Sequence, residues 1–317
     1  MRLWQQSMIL LARNKALKEF MQSRATMSEL AGKFVGGKNV EEAIQRSQAL
    51  KEKGIKTSLF YLGEYVEDLT VVNQTVSELK MMITSLGDSN LDIFISVDPT
   101  QIGHQISGKI CRDNAIALAR EIKNSIGQNN NSKNYLMIDM EDSSVTGATI
   151  SLYTQLTSAS LPAALTLQAY LFRSENDLQN IVRNGGAVRL VKGAFAEKSS
   201  IAFTKRTDID ENYVKLAKTM LSEEARAKGF HPIFATHDEK MIEKIVHFAS
   251  NQKWDKKEYE FEMLYGVRAA LQNELVQSGE QLRLYLPFGT DWWSYAIRRV
   301  GESPKNAKFL FKTITAI

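Results

Sequence analysis

From Gly54 onward the chain switches repeatedly between two hydrophobic rhythms. Short runs rich in Val, Ile, Leu, Phe and Tyr occur at Thr57–Leu62, Leu91–Val97, Tyr135–Asp139, Ala164–Tyr170, Val188–Val191, Pro232–Thr236, Tyr259–Met263 and Leu282–Leu286. Their length and composition predict strands. Most gaps between them place apolar residues at the spacing of one helix face, as in Val66–Leu86, Ile110–Ile126, Gly147–Ser158, Asn176–Asn184, Ile209–Lys228 and Lys240–Asn251. Strands alternating with helices pair in parallel through right-handed crossovers. Eight such units over about 260 residues predict a closed (β/α)8 barrel, an α/β fold of the TIM-like kind, rather than an open sheet.

Upstream of Gly54 the pattern is helical. Apolar positions recur through Met8-Ile9-Leu10-Leu11, Leu17, Phe20, Met27 and Leu30, break at Phe34-Val35-Gly36-Gly37, and resume from Val40 to Lys53. The expected organisation is an N-terminal helical arm over residues 1–50 and a barrel over 51–317, one domain overall. Only 5 prolines and no low-complexity segment leave no interdomain linker.

Composition narrows the function classes. At 317 residues, with 44% hydrophobic and 24% charged side chains, the chain is an ordinary globular protein with room for a large core. A net charge of +4 with no basic block gives nucleic-acid binding no support. Cys111 is the single cysteine, which excludes an intramolecular disulfide and a CxxC metal site. His104, His231, His237 and His247 have no metal-ligand spacing, so no metal is expected. No apolar run reaches the roughly 18–20 residues that span a bilayer, so no transmembrane segment is expected. The apolar stretch Leu3–Leu11 lacks a cleavage site and reads as a helix, which predicts a cytoplasmic protein.

Barrels gather their chemistry at the C-terminal ends of the strands. Here those ends offer Gly63-Glu64, Asp98, Asp139 and Glu141, Gln168, Arg189 with Lys192-Gly193, Thr236-His237-Asp238, Glu260 and Glu262, and Tyr285. Any one of them could be a helix cap; polar residues at all eight ends point to a site. In Val188–Ala194, strand alternation sends Arg189 and Lys192 to opposite faces, toward different parts of an anionic or electron-rich ligand. Gly193 would let that ligand approach the backbone; the plainer reading has Lys192 reaching to solvent. Thr236, His237 and the helix N-terminus behind them suit a pyrophosphate. After Leu284–Gly289, a short helix carries Tyr295, Arg298, Arg299 and Glu302. Two adjacent guanidinium forks suit a carboxylate or a phosphate, with Glu302 orienting them or meeting a substrate ammonium. The plainer alternative is an exposed helix with Arg–Glu pairs.

These pieces occur together, and in order, in a known family. The chain resembles the monofunctional bacterial proline dehydrogenases, flavoenzymes related to one domain of the bifunctional proline utilisation proteins. The likeness runs through Phe34–Gly37, Leu62-Gly63-Glu64, Pro99–Gly103, Ile138–Glu141, Leu167–Tyr170, Arg189–Ala194, Ala235–His237, Glu260–Gly266, and the Tyr285, Arg298-Arg299, Glu302 ending. It implies an enzyme of proline catabolism that oxidises L-proline to Δ1-pyrroline-5-carboxylate. In that family a hydride passes to N5 of a bound FAD, and the electrons leave to a quinone-type acceptor, which allows peripheral membrane contact. It also implies roles. Arg298 and Arg299 clamp the substrate carboxylate and Glu302 orients them; Tyr285 and Tyr295 wall the pocket; Asp139 positions the cations. Arg189 approaches the flavin near N5 and Gln168 bonds its pyrimidine edge. Val191, Lys192, Gly193 and Ala194, with Thr236, His237 and Asp238, lie along the pyrophosphate and ribitol.

Three positions depart from the family pattern. Asp98 stands where the family has a lysine beside the substrate carboxylate. An anion about 4 Å from a carboxylate costs on the order of 4 kcal/mol at an effective dielectric of about 20. Asp98 is therefore expected to be protonated, turned away, or paired with a cation of a different cyclic or cationic amine; the plainer reading is that it ends a strand before Pro99. Phe195 replaces a tyrosine, and Asp238 an asparagine near the phosphates.

Overall fold

The structure, a computed structural model, describes residues 32–63, 66–126, 133–293 and 295–297. Helix α1 (Val40–Lys51) leads into strand β1 (Ile55–Tyr61), followed by α2 (Leu69–Asp88), β2 (Phe94–Val97), α3 (Gly108–Ser125) and β3 (Tyr135–Ile138). Then come α4 (Thr146–Ser158), β4 (Ala163–Gln168), α5 (Ser174–Arg183), β5 (Ala187–Val191), α6 (Arg206–Met220), α7 (Glu223–Ala227) and β6 (His231–Ala235). Helix α8 (Glu239–Asn251), β7 (Glu260–Leu264), α9 (Ala269–Gln277) and β8 (Leu282–Phe288) complete the order. All neighbours pair in parallel, and β8 closes on β1 with Ile55 opposite Leu282 and Tyr61 opposite Phe288. The predicted closed barrel is the one observed.

Local chemistry sets the boundaries. Helix α2 starts at Leu69 rather than Val66 because the Asp68 carboxylate accepts from the Thr70 amide and caps it. The single helix expected over Ile209–Lys228 is two: the chain breaks at Leu221, and the Ser222 hydroxyl caps α7 by accepting from the Ala225 amide. Helix α9 was not expected at all. It is short and begins from Arg268 in the left-handed conformation (φ 55°), so its apolar spacing barely registers.

The main core lies between strands and helices. Leu59, Ile95, Leu136, Leu165, Val188 and Phe261 point outward from the sheet into it. Every second strand residue faces the barrel axis instead. Phe94, Met137, Ala164, Ala187 and Ile233 make a small apolar plug there, with Tyr135 against it. Polar layers lie above and below that plug. Most of the expected N-terminal arm lies outside the described residues. Its Phe34–Gly37 segment is tied to β8, with the Gly36 amide donating to the Pro287 carbonyl at 2.7 Å. A side chain at Gly36 would collide with Leu286, so the segment sits flat on the barrel rim.

Candidate active site at the C-terminal mouth

Seven of the eight strands supply the centre of the mouth. Arg189, from β5, is 3% exposed. Its Nε and Nη2 donate to Oε2 and Oε1 of Glu262 on β7 at 2.7 and 2.8 Å. Nη2 also donates to the hydroxyls of Ser58 and Ser96 at 2.9 and 3.0 Å, and Nη1 donates to Asp139 Oδ1. Asp139, one residue beyond β3, also accepts from the Thr166 hydroxyl at 2.9 Å and, through Oδ2, from the Tyr285 hydroxyl at 3.0 Å. The Tyr285 ring lies against the guanidinium at 5.2 Å and stacks on Phe60.

The electrostatics follow from that packing. Burial works against charge on Arg189, but the carboxylates of Glu262 and Asp139 outweigh it and hold the guanidinium firmly protonated. Burial pushes the Glu262 carboxyl upward, with Arg189 opposing. Burial also raises the Tyr285 phenol well above its ordinary value, and Asp139 and Asp98 add to this. Asp98 and Tyr295 both belong to the field around Tyr285, so the structure brings Asp98, Asp139, Arg189, Tyr285 and Tyr295 to one mouth. Asp98 also begins a turn, its carbonyl accepting from the Gln101 amide at 3.0 Å.

Gln168, at the end of β4, donates through Nε2 to the carbonyls of Met140 and Glu141 at 3.0 and 3.2 Å. Its Oε1 is buried without a hydrogen-bond partner among the described residues. A buried acceptor left open is costly unless a donor arrives. An imide N–H, as on the pyrimidine edge of a flavin, fits that atom.

The second anion-binding candidate is arranged differently from expectation. Arg189 and Lys192 do point to opposite faces. Lys192, however, is held by two carboxylates, Asp238 at 3.1 Å and Asp210 on α6. Partial burial would raise the Asp238 carboxyl, but Lys192 and Arg206 hold it below its ordinary range. Gly193 adopts φ 107°, and a side chain there would strike the Tyr170 ring. Backbone conformation and Tyr170 thus each require a glycine here, apart from any room it leaves for a ligand. Thr236 is buried, and its hydroxyl accepts from the Asp238 amide at 3.1 Å. His237 Nε2 accepts from the Leu264 amide at 2.9 Å, so a neutral ring carries its proton on Nδ1. The Val191 carbonyl accepts from the Ala169 amide, and Ala194 and Phe195 lie exposed beyond it.

Glu260 does not belong to this mouth. It starts β7 rather than ending it, and it serves a polar layer at the opposite end of the barrel. The sequence marks it as a polar residue of strand seven but not its height along the barrel axis. Ser58, Ser96 and Thr166 are partners that sequence reasoning left out, and Glu262, offered there only as a polar strand end, was given no role. The signal for Glu262 was present, since two carboxylates two residues apart in a buried strand need cations facing them. Glu64, Arg298, Arg299 and Glu302 lie outside the described residues.

A closed parallel barrel with a charged, tyrosine-walled mouth at its C-terminal face defines a barrel enzyme. Comparison with known proteins makes the class specific. A sequence profile for proline dehydrogenase matches residues 43–312. Proline dehydrogenase 2 of Bacillus subtilis is 32% identical over 285 residues, 90% of each chain. Proline dehydrogenase of Deinococcus radiodurans is 31% identical over 290 residues, 91% of each. Among solved structures, proline utilization A from Bdellovibrio bacteriovorus superposes with a TM-score of 0.78 at 22% identity, covering 86% of this chain and 32% of that one. The chain belongs to the proline dehydrogenase family, and it is an oxidoreductase of that family.

Proposed function

We propose that the protein oxidises L-proline to Δ1-pyrroline-5-carboxylate with FAD as its bound cofactor, passing the electrons to a quinone-type acceptor. The observation that carries the reading is the open Oε1 of Gln168 beside the Arg189–Asp139–Tyr285 cluster, in a chain of this family. FAD supplies the hydride acceptor at N5, chemistry that no side chain can perform.

The chain's own residues bind, orient and set charge. Gln168 Oε1 would accept from the pyrimidine edge of the flavin, and Arg189 would offer it the charge of its guanidinium. Asp139 fixes the Tyr285 hydroxyl, so that the phenol ring forms a rigid wall for the substrate. Lys192, Thr236 and His237, with the 191–194 turn and Asp238, form the pyrophosphate side; Lys192 has to exchange a carboxylate for a phosphate there. Arg298 and Arg299 grip the proline carboxylate with Glu302 orienting them, and Tyr295 completes the wall. Asp98 in place of a cation weakens that grip. Among the described residues no helix is long and apolar enough to cross a membrane; we place the protein in the cytoplasm with peripheral access to a membrane quinone.

The test is turnover with L-proline and a soluble quinone, following pyrroline-5-carboxylate and reduced quinone together. Equal amounts of the two are expected. Quinone left unreduced while proline is consumed removes that acceptor, and absence of product with every acceptor removes the substrate.

A further inference from the structure

Arg189 has five N–H donors, and their allocation is uneven. The Nε/Nη2 edge is fully taken: Glu262 grips it bidentately and the Ser58 and Ser96 hydroxyls accept the remaining Nη2 hydrogen. Nη1 donates once, to Asp139, and among the described residues its second hydrogen has no acceptor. Glu262 is 2% exposed and makes no contact with the open mouth, so it can reach a ligand there only through Arg189.

We propose that Glu262 is a positioning residue for the reaction, fixing the Nη1 edge of Arg189 toward the mouth and tempering the positive charge that this cation presents. A planar guanidinium held along one edge by a bidentate carboxylate cannot rotate, so its other edge has one direction. Two carboxylates share one cation, which leaves Arg189, Asp139 and Glu262 with a net charge of minus one. That sum opposes adding electrons to any ring lying against the cluster. Evolution toward stability alone does not require this, because the apolar plug beneath is already packed.

The molecule contains its own control. At the opposite end of the barrel, away from the mouth, Glu260 grips Arg283 through the same Nε/Nη2 fork at 2.8 and 3.1 Å, and Nη1 likewise donates once. A Glu–Arg pair that is merely structural should behave alike at both ends.

The inference rests on the FAD reading, so the wild-type protein is read first. Protein that neither contains nor takes up FAD sinks that reading itself, and this inference with it. With FAD bound, the midpoint potential of the flavin is measured in wild type, Glu262→Gln and Glu260→Gln. Removing the Glu262 charge is expected to shift the flavin equilibrium at least tenfold toward the reduced form, about 30 mV upward for a two-electron couple. Glu260→Gln should lower the melting temperature and leave the potential where it was. If Glu262→Gln does not fold, Glu262→Asp serves in its place: it withdraws the carboxylate by one methylene and should shift the equilibrium at least twofold in the same direction. An unchanged potential in the Glu262 variant that folds, or an equal shift in Glu260→Gln, overturns the proposal.

Discussion

The barrel interior holds two buried arginines, and they solve the same problem to different ends. Arg283, on β8, is fully buried at the N-terminal end. Its Nε and Nη2 fork onto Glu260, Nη1 donates to the Thr57 carbonyl at 2.7 Å, Nη2 donates to Asp92 at 2.7 Å, and Phe94 stacks at 4.1 Å. Its Nε/Nη2 fork and one Nη1 hydrogen are matched, and the layer closes the barrel floor. Arg189 takes the same fork from Glu262, and its Nη1 likewise donates once, to Asp139. It shares its mouth with the open Oε1 of Gln168 and with Asp139, whose side chain is 14% exposed. Buried charge is common to both ends. What separates them is place: Arg189 stands at the C-terminal ends of the strands, where barrels gather their chemistry, and Arg283 at the N-terminal ends.

The sharpest way to break this contrast is at the floor. Arg283→Met leaves Glu260 buried without its cation and should destabilise the protein by about 3–5 kcal/mol. Chemical denaturation reads that loss, while kcat/KM per folded molecule should stay within about twofold. A large loss of turnover in the folded fraction would put Arg283 into the site.

At the mouth, Arg189→Lys keeps the charge and removes the fork. It should lower kcat/KM for proline about 100-fold, because a misplaced cation no longer faces the reacting centre. Steady-state kinetics decide it; turnover near wild type would reduce Arg189 to a structural ion.

The floor also predicts acid sensitivity. Burial, aided by Lys133, Arg283 and Lys56 and opposed by Glu260, lowers the His231 pKa to about 3. The unfolded chain takes up that proton near pH 6.5, the folded chain only near 3. Between those values the unfolded state binds more protons, so stability falls as pH falls. The loss should be about 1.5 kcal/mol between pH 6.5 and 5, and His231→Phe should largely remove it. Glu260, held down to about 2 by Arg283 and His231 against burial, contributes only below its ordinary range near 4.5. The smallest effect concerns one hydrogen bond: Gln168→Leu should weaken FAD binding about tenfold, read by titrating the apoprotein.

Much of this was legible in the sequence, and the residues show why the rest was not. The eight strands are marked by local composition, so barrel and order follow from neighbours in the chain. The strand ends nominated Asp139, Gln168, Arg189 and Tyr285, because position at a strand end is a local property, and the fold brings Asp139, Arg189 and Tyr285 into one cluster. Their partnerships are not local. Arg189 meets Glu262 across 73 positions and Ser58 across 131, distances that only barrel closure converts into contacts. Height along the axis was also hidden, which is why Glu260 was grouped with the wrong mouth. Nothing in the strand before Lys192 announces its ion pair with Asp210, which arrives from the following helix.

The most direct measurement is the visible spectrum of the purified protein during an anaerobic titration with L-proline. An oxidised flavin spectrum that bleaches on adding proline is predicted. A colourless protein that takes up no FAD, or a flavin that proline leaves oxidised, would contradict it.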